Sequence, residues 1–371
     1  MSLVKESRNC VVVLGMEEQG LALLQCMYKT HEHVHFFVDR RRPRHAWENS
    51  RFGEKHCFSD LIDLENQLTI LQNNYEEKLC IFISSANLLT DIRINSPQLY
   101  DKYSVSSSPL KWINILTTKH LMYEYAINQG LVTARFRKLS DYKNGDLTFP
   151  LILKRDIEYV LSFKTKKVDS QDEFNEFVAK VPDNHDRIIV QEMIPDGAKD
   201  LSLHAYLHKG EIMGCVSFEE VRHYPKGISS YMKEVNEEIS SQLKSEAQKL
   251  FSNTDYSGFV QIDFKYLDGI PIIMDVNTRT PGSHSAFHCK FSNWREFYSS
   301  IPDAPIKLIA KDKKVCWINV VRDFVGNKAD GKLSETFKGM IGSHWDVFDW
   351  QDPCPFFQTF ALIIKQRKSG F

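Results

Sequence analysis

Residues 258–279 read as a β-hairpin that carries acids where half-buried strands ordinarily carry core. Val260, Ile262, Phe264, Tyr266, Ile272, Met274 and Val276 are all apolar, as a period of two demands of a face packed on a core. The odd positions hold Asp263, Asp275 and Asn277, and Arg279 follows at once. Two carboxylates and an amide oxygen on one face suit a hard cation such as Mg2+, which is held by one or two carboxylates together with substrate phosphates. A planar guanidinium beside them suits an anion. The competing reading is a sheet whose polar face is merely solvated.

Whether Asp263 and Asp275 meet depends on register, because a slip of one residue sends a side chain to the opposite face. A two-residue turn at Asp268 and Gly269 would part the acids. A three-residue loop of Leu267, Asp268 and Gly269, with Gly269 left-handed in a bulge, brings them to one face and keeps all seven apolar residues on the other. That loop is the expectation. In its register Gln261 faces Asp275 and Asp263 faces Ile273, so the aspartates are diagonal neighbours roughly 7 Å apart.

The chain that must position this hairpin has 371 residues, 42% hydrophobic and 26% charged, enough for two or three domains of ~100 to 200 residues. Lysine and arginine (47) nearly cancel aspartate and glutamate (48), so no global field points to nucleic acid or an anionic membrane. The eight cysteines are widely spaced, with no two-residue gap of the zinc or redox kind, and read as buried free thiols. The longest early apolar run, 10–14, is too short for a secretory core and no span approaches ~20 apolar residues, so a cytoplasmic protein is expected.

The first hundred residues alternate short strands (10–14, 34–38, 79–84) with amphipathic stretches, an open α/β pattern. Gly15 and Gly20 lack the triple-glycine spacing of a dinucleotide site and are assigned to a turn. Arg40, Arg41, Arg42, Arg44 and Arg51 are read as a solvated loop in preference to an anion site. After a serine-rich break at 104–109, Thr118 is expected to cap a helix ending near Gly130. Strands at 151–154 and 187–193, an extended stretch at 163–168 and a helix capped by Ser170 and Glu173 follow. Strands 201–208 and 211–218, turned at Lys209 and Gly210, and a helix through Leu243, Ala247 and Phe251 lead into the hairpin. Two aromatic strands, 315–321 and 356–365, are expected to close the chain.

Taken in order, these elements resemble the ATP-grasp superfamily, over roughly residues 5–325. The resemblance rests on Lys119, on 150–154 ending in Lys154, on 190–194, and on Asp263 with 275–279. It implies an ATP-grasp fold, α/β overall and α+β in the nucleotide domain. The implied division is a Rossmann-like pre-ATP-grasp domain at 1–116, a lid at 117–200 and a catalytic base with C-terminal strands at 201–371. It also implies that Lys119 and Lys154 meet ATP phosphates, that Gln191, Glu192 and Ile194 form the adenine connector, and that Asp200 serves the ribose. Asp263, Asp275 and Asn277 match the magnesium ligands and Arg279 the arginine that holds an acyl phosphate or carboxylate.

Two features depart from the pattern. No glycine-rich stretch follows Lys154, so Arg155, Lys164 and Lys166 are candidates to cover the phosphates, and Gln261 stands where some ligases place an arginine. Arg222 and Lys226 are candidate substrate cations, and His284 is a base only if a capping or core role does not claim it. The function implied is a Mg-dependent, ADP-forming ligase joining a carboxylate to an amine. A bicarbonate-using carboxylase and a non-catalytic ATP-binding sensor or scaffold are the alternatives. Partners are small molecules, and the chain alone leaves monomer and homodimer open.

Overall fold

The computed structural model describes residues 10–15, 17–42, 46–157, 163, 165–181, 185–302, 304–346 and 348–368. Strands β1 (Val11–Leu14), β2 (Val34–Asp39), β3 (Glu54–Phe58), β4 (Cys80–Ile83) and β5 (Ser104–Val105) form a parallel sheet in the order β3-β2-β1-β4-β5. Every residue of β1, β2 and β4 is buried, as both faces of a parallel sheet are covered by its crossover helices. Val12 and Leu14 pack with Leu64, Leu68, Leu88 and Leu89 on one side, while Val11 and Val13 pack with Leu21, Leu23 and Leu24 on the other. Gly15 makes the turn at φ +88°, and a Cβ there would lie 2.6 Å from that of Ser85, which accounts for the glycine without a dinucleotide.

Strand β6 (Val132–Thr133) crosses to another sheet, and β7 (Phe136–Lys138), β8 (Leu151–Arg155), β9 (Thr165–Val168) and β10 (Ile188–Glu192) pair antiparallel as β7-β10-β8-β9. A separate small core of Leu151, Leu153, Val168, Phe174, Ile188 and Val190 holds this sheet. The expected cap forms on the helix Gln171–Ala179: Ser170 accepts from the Glu173 amide, and Glu173 accepts from Asp169.

The largest sheet takes β11 (Lys199–His208), β12 (Glu211–His223), β13 (Ser229–Glu234), β14 (Gly258–Leu267), β15 (Ile270–Asn277), β16 (Cys316–Ile318) and β17 (His344–Trp345). Its order is β17-β16-β13-β12-β11-β14-β15-β6. Leu201, Leu203, Val260, Ile262, Phe264, Ile273 and Val276 share a core with Leu243, Ala247, Leu250 and Phe251 of the helix Glu237–Phe251. Those four recur at helical spacing behind an Asn236 cap, so one face of the helix covers the sheet.

Three expectations change. The aromatic segments near the C-terminus are not two strands: β16 is three residues long and runs into the helix Val320–Ala329, and Cys354–Lys368 is a helix. The helix Lys119–Asn128 takes no cap from the Thr118 side chain. Asp156, at the end of β8, supplies it instead, accepting from the His120 amide at 2.9 Å. The seven alternating apolar residues of the hairpin do not share one face either, for a reason that lies in its register.

Candidate active site

The hairpin turn is the two-residue one. Asp268 and Gly269 both have positive φ, 49° and 82°, the geometry that suits the twist of two antiparallel strands. The extra residue sits lower down, at Met274, where the register shifts between Asp263↔Asp275 and Phe264↔Ile273. This bulge does what the expected loop would have done. It brings Asp263 and Asp275 to one face, directly opposite each other instead of diagonal, with Gln261 opposite Asn277. Ile273 takes the core position, and Met274 turns toward the cleft above the sheet. The Met274 carbonyl, next to the ladder break, accepts from the Tyr123 hydroxyl at 2.8 Å.

Across this face runs a cleft of about 750 Å³. Lys119, Lys154, Asp200, Lys226, Asp263, Asp275, Asn277 and Arg279 all line it. Lys119 opens its helix, is anchored by its amide to the Asp156 carbonyl, and reaches Asp275 Oδ2 at 2.8 Å. Lys154 alternates outward on β8 between the buried Leu153 and Arg155. Asp200 pairs with Lys265 at 2.7 Å on the neighbouring strand. Asn277 and Gln261 donate to the two oxygens of Asp263, at 3.2 and 2.8 Å. Arg279 gives one bond to the Thr280 carbonyl, while its buried Nε meets no acceptor among the described residues.

The acids are tightly placed. Burial, followed by the charges of Glu220 and Asp275, pushes the Asp263 carboxyl up to about 8, against the Gln261 hydrogen bond and Arg279. Glu220 behaves oppositely. Burial opposes its charge, but hydrogen bonds from His223 and Ser229 hold it below the ordinary glutamate value. The same hydrogen bond raises His223. Three carboxylates therefore face one volume, with amide groups beside them. Such a set of hard oxygen donors fits a divalent cation, whose charge would offset the repulsion among them.

Of the connector residues, Gln191 is buried on β10 and its side-chain nitrogen meets no acceptor among the described residues. Glu192 turns its carboxylate away, to Arg135 at 3.0 Å and to the Thr148 amide at 2.9 Å. The Met193 amide closes the ladder on the Pro150 carbonyl, and the chain leaves the sheet at Ile194.

Arg222 does not reach the cleft as expected. Its guanidinium binds Asp323 through two bonds of 2.7 and 2.9 Å and stacks 4.0 Å from the Tyr231 ring centroid. The residue 101 places on in sequence claims it for structure. His284 is fully buried, with Nε2 2.6 Å from the Tyr298 hydroxyl, and burial drives its pKa down to about 3, so it is a core histidine and no base for the cleft. Arg41 pairs with Asp39 and Asp91, and Arg40 with Glu48, consistent with a structural and solvated basic loop; Arg44 lies outside the described residues. Arg155 lines the cleft, Lys166 is exposed on β9 and does not, and Lys164 lies outside the described residues.

Sequence reasoning missed Glu220, His223, Met274 and a group just past the C-terminal end of β1, the central strand of the first sheet: Glu17, Glu18 and Gln19, all at the cleft. Glu18 is ion-paired to Arg322, which also lines it. For Glu220 a weak signal existed, an acidic pair continuing the alternation of the strand read as ending at residue 218.

No family model matches the chain, and no curated protein does. Solved structures do. N5-carboxyaminoimidazole ribonucleotide synthetase from Thermus thermophilus superposes with a TM-score of 0.64 at 15% identity, covering 82% of each chain. An L-amino acid ligase from Bacillus licheniformis gives 0.59 at 15%, covering 82% of this chain and 76% of that one. The biotin carboxylase domain of a Hydrogenobacter thermophilus 2-oxoglutarate carboxylase, solved with MgADP, ADP and bicarbonate, gives 0.66 at 11%, covering 84% and 74%. Among the described residues no helix is long and apolar enough to cross a membrane.

Proposed function

The chain has the ATP-grasp fold, and on that premise we propose that its cleft binds Mg-ATP and that the protein is an ADP-forming ligase joining a carboxylate to an amine. The observation that carries this reading is Asp263 directly opposite Asp275, with Asn277, Lys119 and Arg279 facing the same cleft. Two of the proteins it resembles are a synthetase and an amino acid ligase by name, and a third holds MgADP.

Adenine enters beside β10, where the backbone of Glu192 and Ile194 at the strand's end reads its edge and Met274 offers an apolar contact. Asp200 serves the ribose hydroxyls. Lys119 and Lys154, held close together where the Lys119 amide bonds to the Asp156 carbonyl just past β8, reach the phosphates each as a point charge. Arg155 adds a cation where a glycine-rich loop would otherwise contribute amides. Asp263, Asp275 and Asn277 would hold magnesium, which when bound neutralises charge on the phosphates, and Glu220 stands near enough to reinforce that set.

Arg279 holds the acceptor carboxylate in line with the γ-phosphorus, where its orphan Nε gains the acceptor it lacks. A carboxylate oxygen then bonds to the γ-phosphorus as the bond to the β-phosphate oxygen breaks, giving an acyl phosphate and ADP. The amine nitrogen attacks the acyl carbon, the carbon–oxygen bond to phosphate breaks, and the amine loses a proton as the amide forms. Phosphoryl transfer of this kind needs positioning and charge stabilisation more than a protein nucleophile. Lys226, on the cleft wall between β12 and β13, is placed to meet an anionic substituent of either substrate.

Bicarbonate is itself a carboxylate that Arg279 would hold in the same way, and the likeness to a carboxylase domain solved with bicarbonate keeps that acid in the same scheme. The deciding experiment is ADP release with Mg-ATP across pooled amino acids, other carboxylates, bicarbonate and amines, with product mass read in parallel. Release that requires both a carboxylate and an amine is the expected result. Dependence on bicarbonate would name it as the acid, and tight ATP binding without release across the panel would favour a sensor.

A further inference from the structure

A second cluster of ligating side chains lies away from the cleft. The turn His288–Lys290 presents a histidine and a cysteine in succession, and the short β17 brings His344 against them. Cys289 Sγ is 3.6 Å from His288 Nε2 and 3.4 Å from His344 Nδ1, and the ligating atoms of all three lie within 4.8 Å of one another. Those two separations match an edge of a zinc tetrahedron. With Zn–S of about 2.3 Å and Zn–N of about 2.05 Å, a tetrahedral angle sets sulfur and nitrogen about 3.6 Å apart. As hydrogen bonding, the thiol donates once, to the Ser285 carbonyl at 3.5 Å, which leaves two imidazoles converging on a weakly accepting sulfur.

The surroundings agree with this geometry. His288 turns its other nitrogen, Nδ1, to Cys26 Sγ at 3.4 Å, on the helix Glu18–Tyr28. Ligating histidines are oriented in this way by a partner on the far nitrogen. Each of the three residues is only half-buried, which leaves a path for an ion. Two ammonium groups stand near: Lys29 is paired to Asp349, and Lys311 donates to the Cys289 carbonyl at 3.0 Å. They oppose a bare dication.

We propose that His288, Cys289 and His344 bind a zinc ion, with solvent as the fourth ligand and Cys26 orienting His288 from outside the coordination sphere. None of the three ligands lines the ATP cleft, so the site stands independently of the ligase reading. Its effect would be to fasten three remote segments, each a near neighbour of cleft residues: the helix that begins at Glu18, the turn after Gly282 and Ser283, and the strand paired with Trp317.

The test uses the tag-free full-length protein, stripped with chelator and titrated with Co2+. One equivalent should bind with thiolate-to-cobalt charge-transfer absorption and intense tetrahedral d–d bands, both displaced by one equivalent of Zn2+. Cobalt at the carboxylates of the cleft gives no thiolate charge-transfer band, since the sulfur lining it, in Met232 and Met274, is thioether and not thiol. Cys289→Ser should lose the charge-transfer band, His344→Gln the tetrahedral intensity, and Cys26→Ser should keep the spectrum while zinc affinity drops roughly 10–100-fold against a chromophoric chelator. Absence of the charge-transfer band in the wild-type protein, a measurement that needs no variant to fold, would overturn the proposal. So would a spectrum unchanged by Cys289→Ser in a protein with native circular dichroism.

Discussion

Replacing Arg279 by methionine separates a group built for an anion from one built for the fold. Among the described residues its Nη1 reaches the Thr280 carbonyl, at 3.1 Å, and its buried Nε meets no acceptor. A buried donor left unsatisfied costs about 1–3 kcal/mol. Methionine removes that donor and keeps most of the apolar stem, so stability should be unchanged or rise by up to about 1 kcal/mol, the lower end of that range. Catalysis should move the other way. Losing one preorganised donor to a developing anion typically costs about 2.7–4 kcal/mol, or ~10² to 10³ in kcat. Arg279→Lys should fall between, because it retains the charge but not the planar fork. Coupled ADP release with the substrates identified by the screen reads the first effect, and urea unfolding followed by circular dichroism reads the second. Wild-type turnover in Arg279→Met would refute the anion role. Joint loss of activity and more than about 3 kcal/mol of stability, the range of a broken buried pair, would recast the residue as structural.

Asp275→Asn, nearly isosteric, should leave the unfolding midpoint close to wild type and abolish Mg-dependent ADP formation; turnover at the wild-type rate would remove Asp275 from the metal set. Arg222→Met should instead destabilise by about 3–5 kcal/mol, because it leaves the buried Asp323 without its cation; urea unfolding checks this, and an unchanged KM in the surviving fold would confirm that Arg222 stays out of the cleft. The buried histidines predict an acid limit. His204 and His284 titrate at about 4 and about 3 when folded because burial opposes their charge, but near 6.5 when unfolded. The unfolded chain thus binds more protons below pH 6.5, and stability present above that pH is lost as pH falls toward 4, by roughly 3 kcal/mol for each group. Urea midpoints from pH 7 to 4 should show the loss, and an equal slope in His284→Gln would contradict it.

Much of the acid-bearing hairpin was legible in the residues. Alternation marked both strands, and the contrast between an apolar and an acidic set marked their faces. The resemblance supplied Lys119, Lys154 and Asp200, and all three line the cleft with the acids. The turn differs because a bulge at Met274 brings the two acids together as a bulge at the loop would, while it gives the core position to Ile273 and so breaks the alternation from which the loop is inferred. What discriminates them is a buried tyrosine 151 residues away that accommodates the displaced carbonyl. The C-terminal helix was taken for a strand because Phe356, Phe357 and Phe360 carry β propensity, which yields to packing.

The sequence by itself determined which side chains alternate, where helices could be capped from within, and which oxygen donors were at hand near Asp263. These are properties of neighbours along the chain, where periods of 2 and 3.6 apply. Only the tertiary structure decided that Glu220 joins the acids, that Asp156 and not Thr118 caps the helix bearing Lys119, that Asp323 holds Arg222 away from the cleft, and that His344 meets Cys289. Each of those outcomes depends on a charge or hydrogen bond between segments remote in sequence. Such interactions act through a few ångströms of space whatever the separation along the backbone, so no local pattern records them.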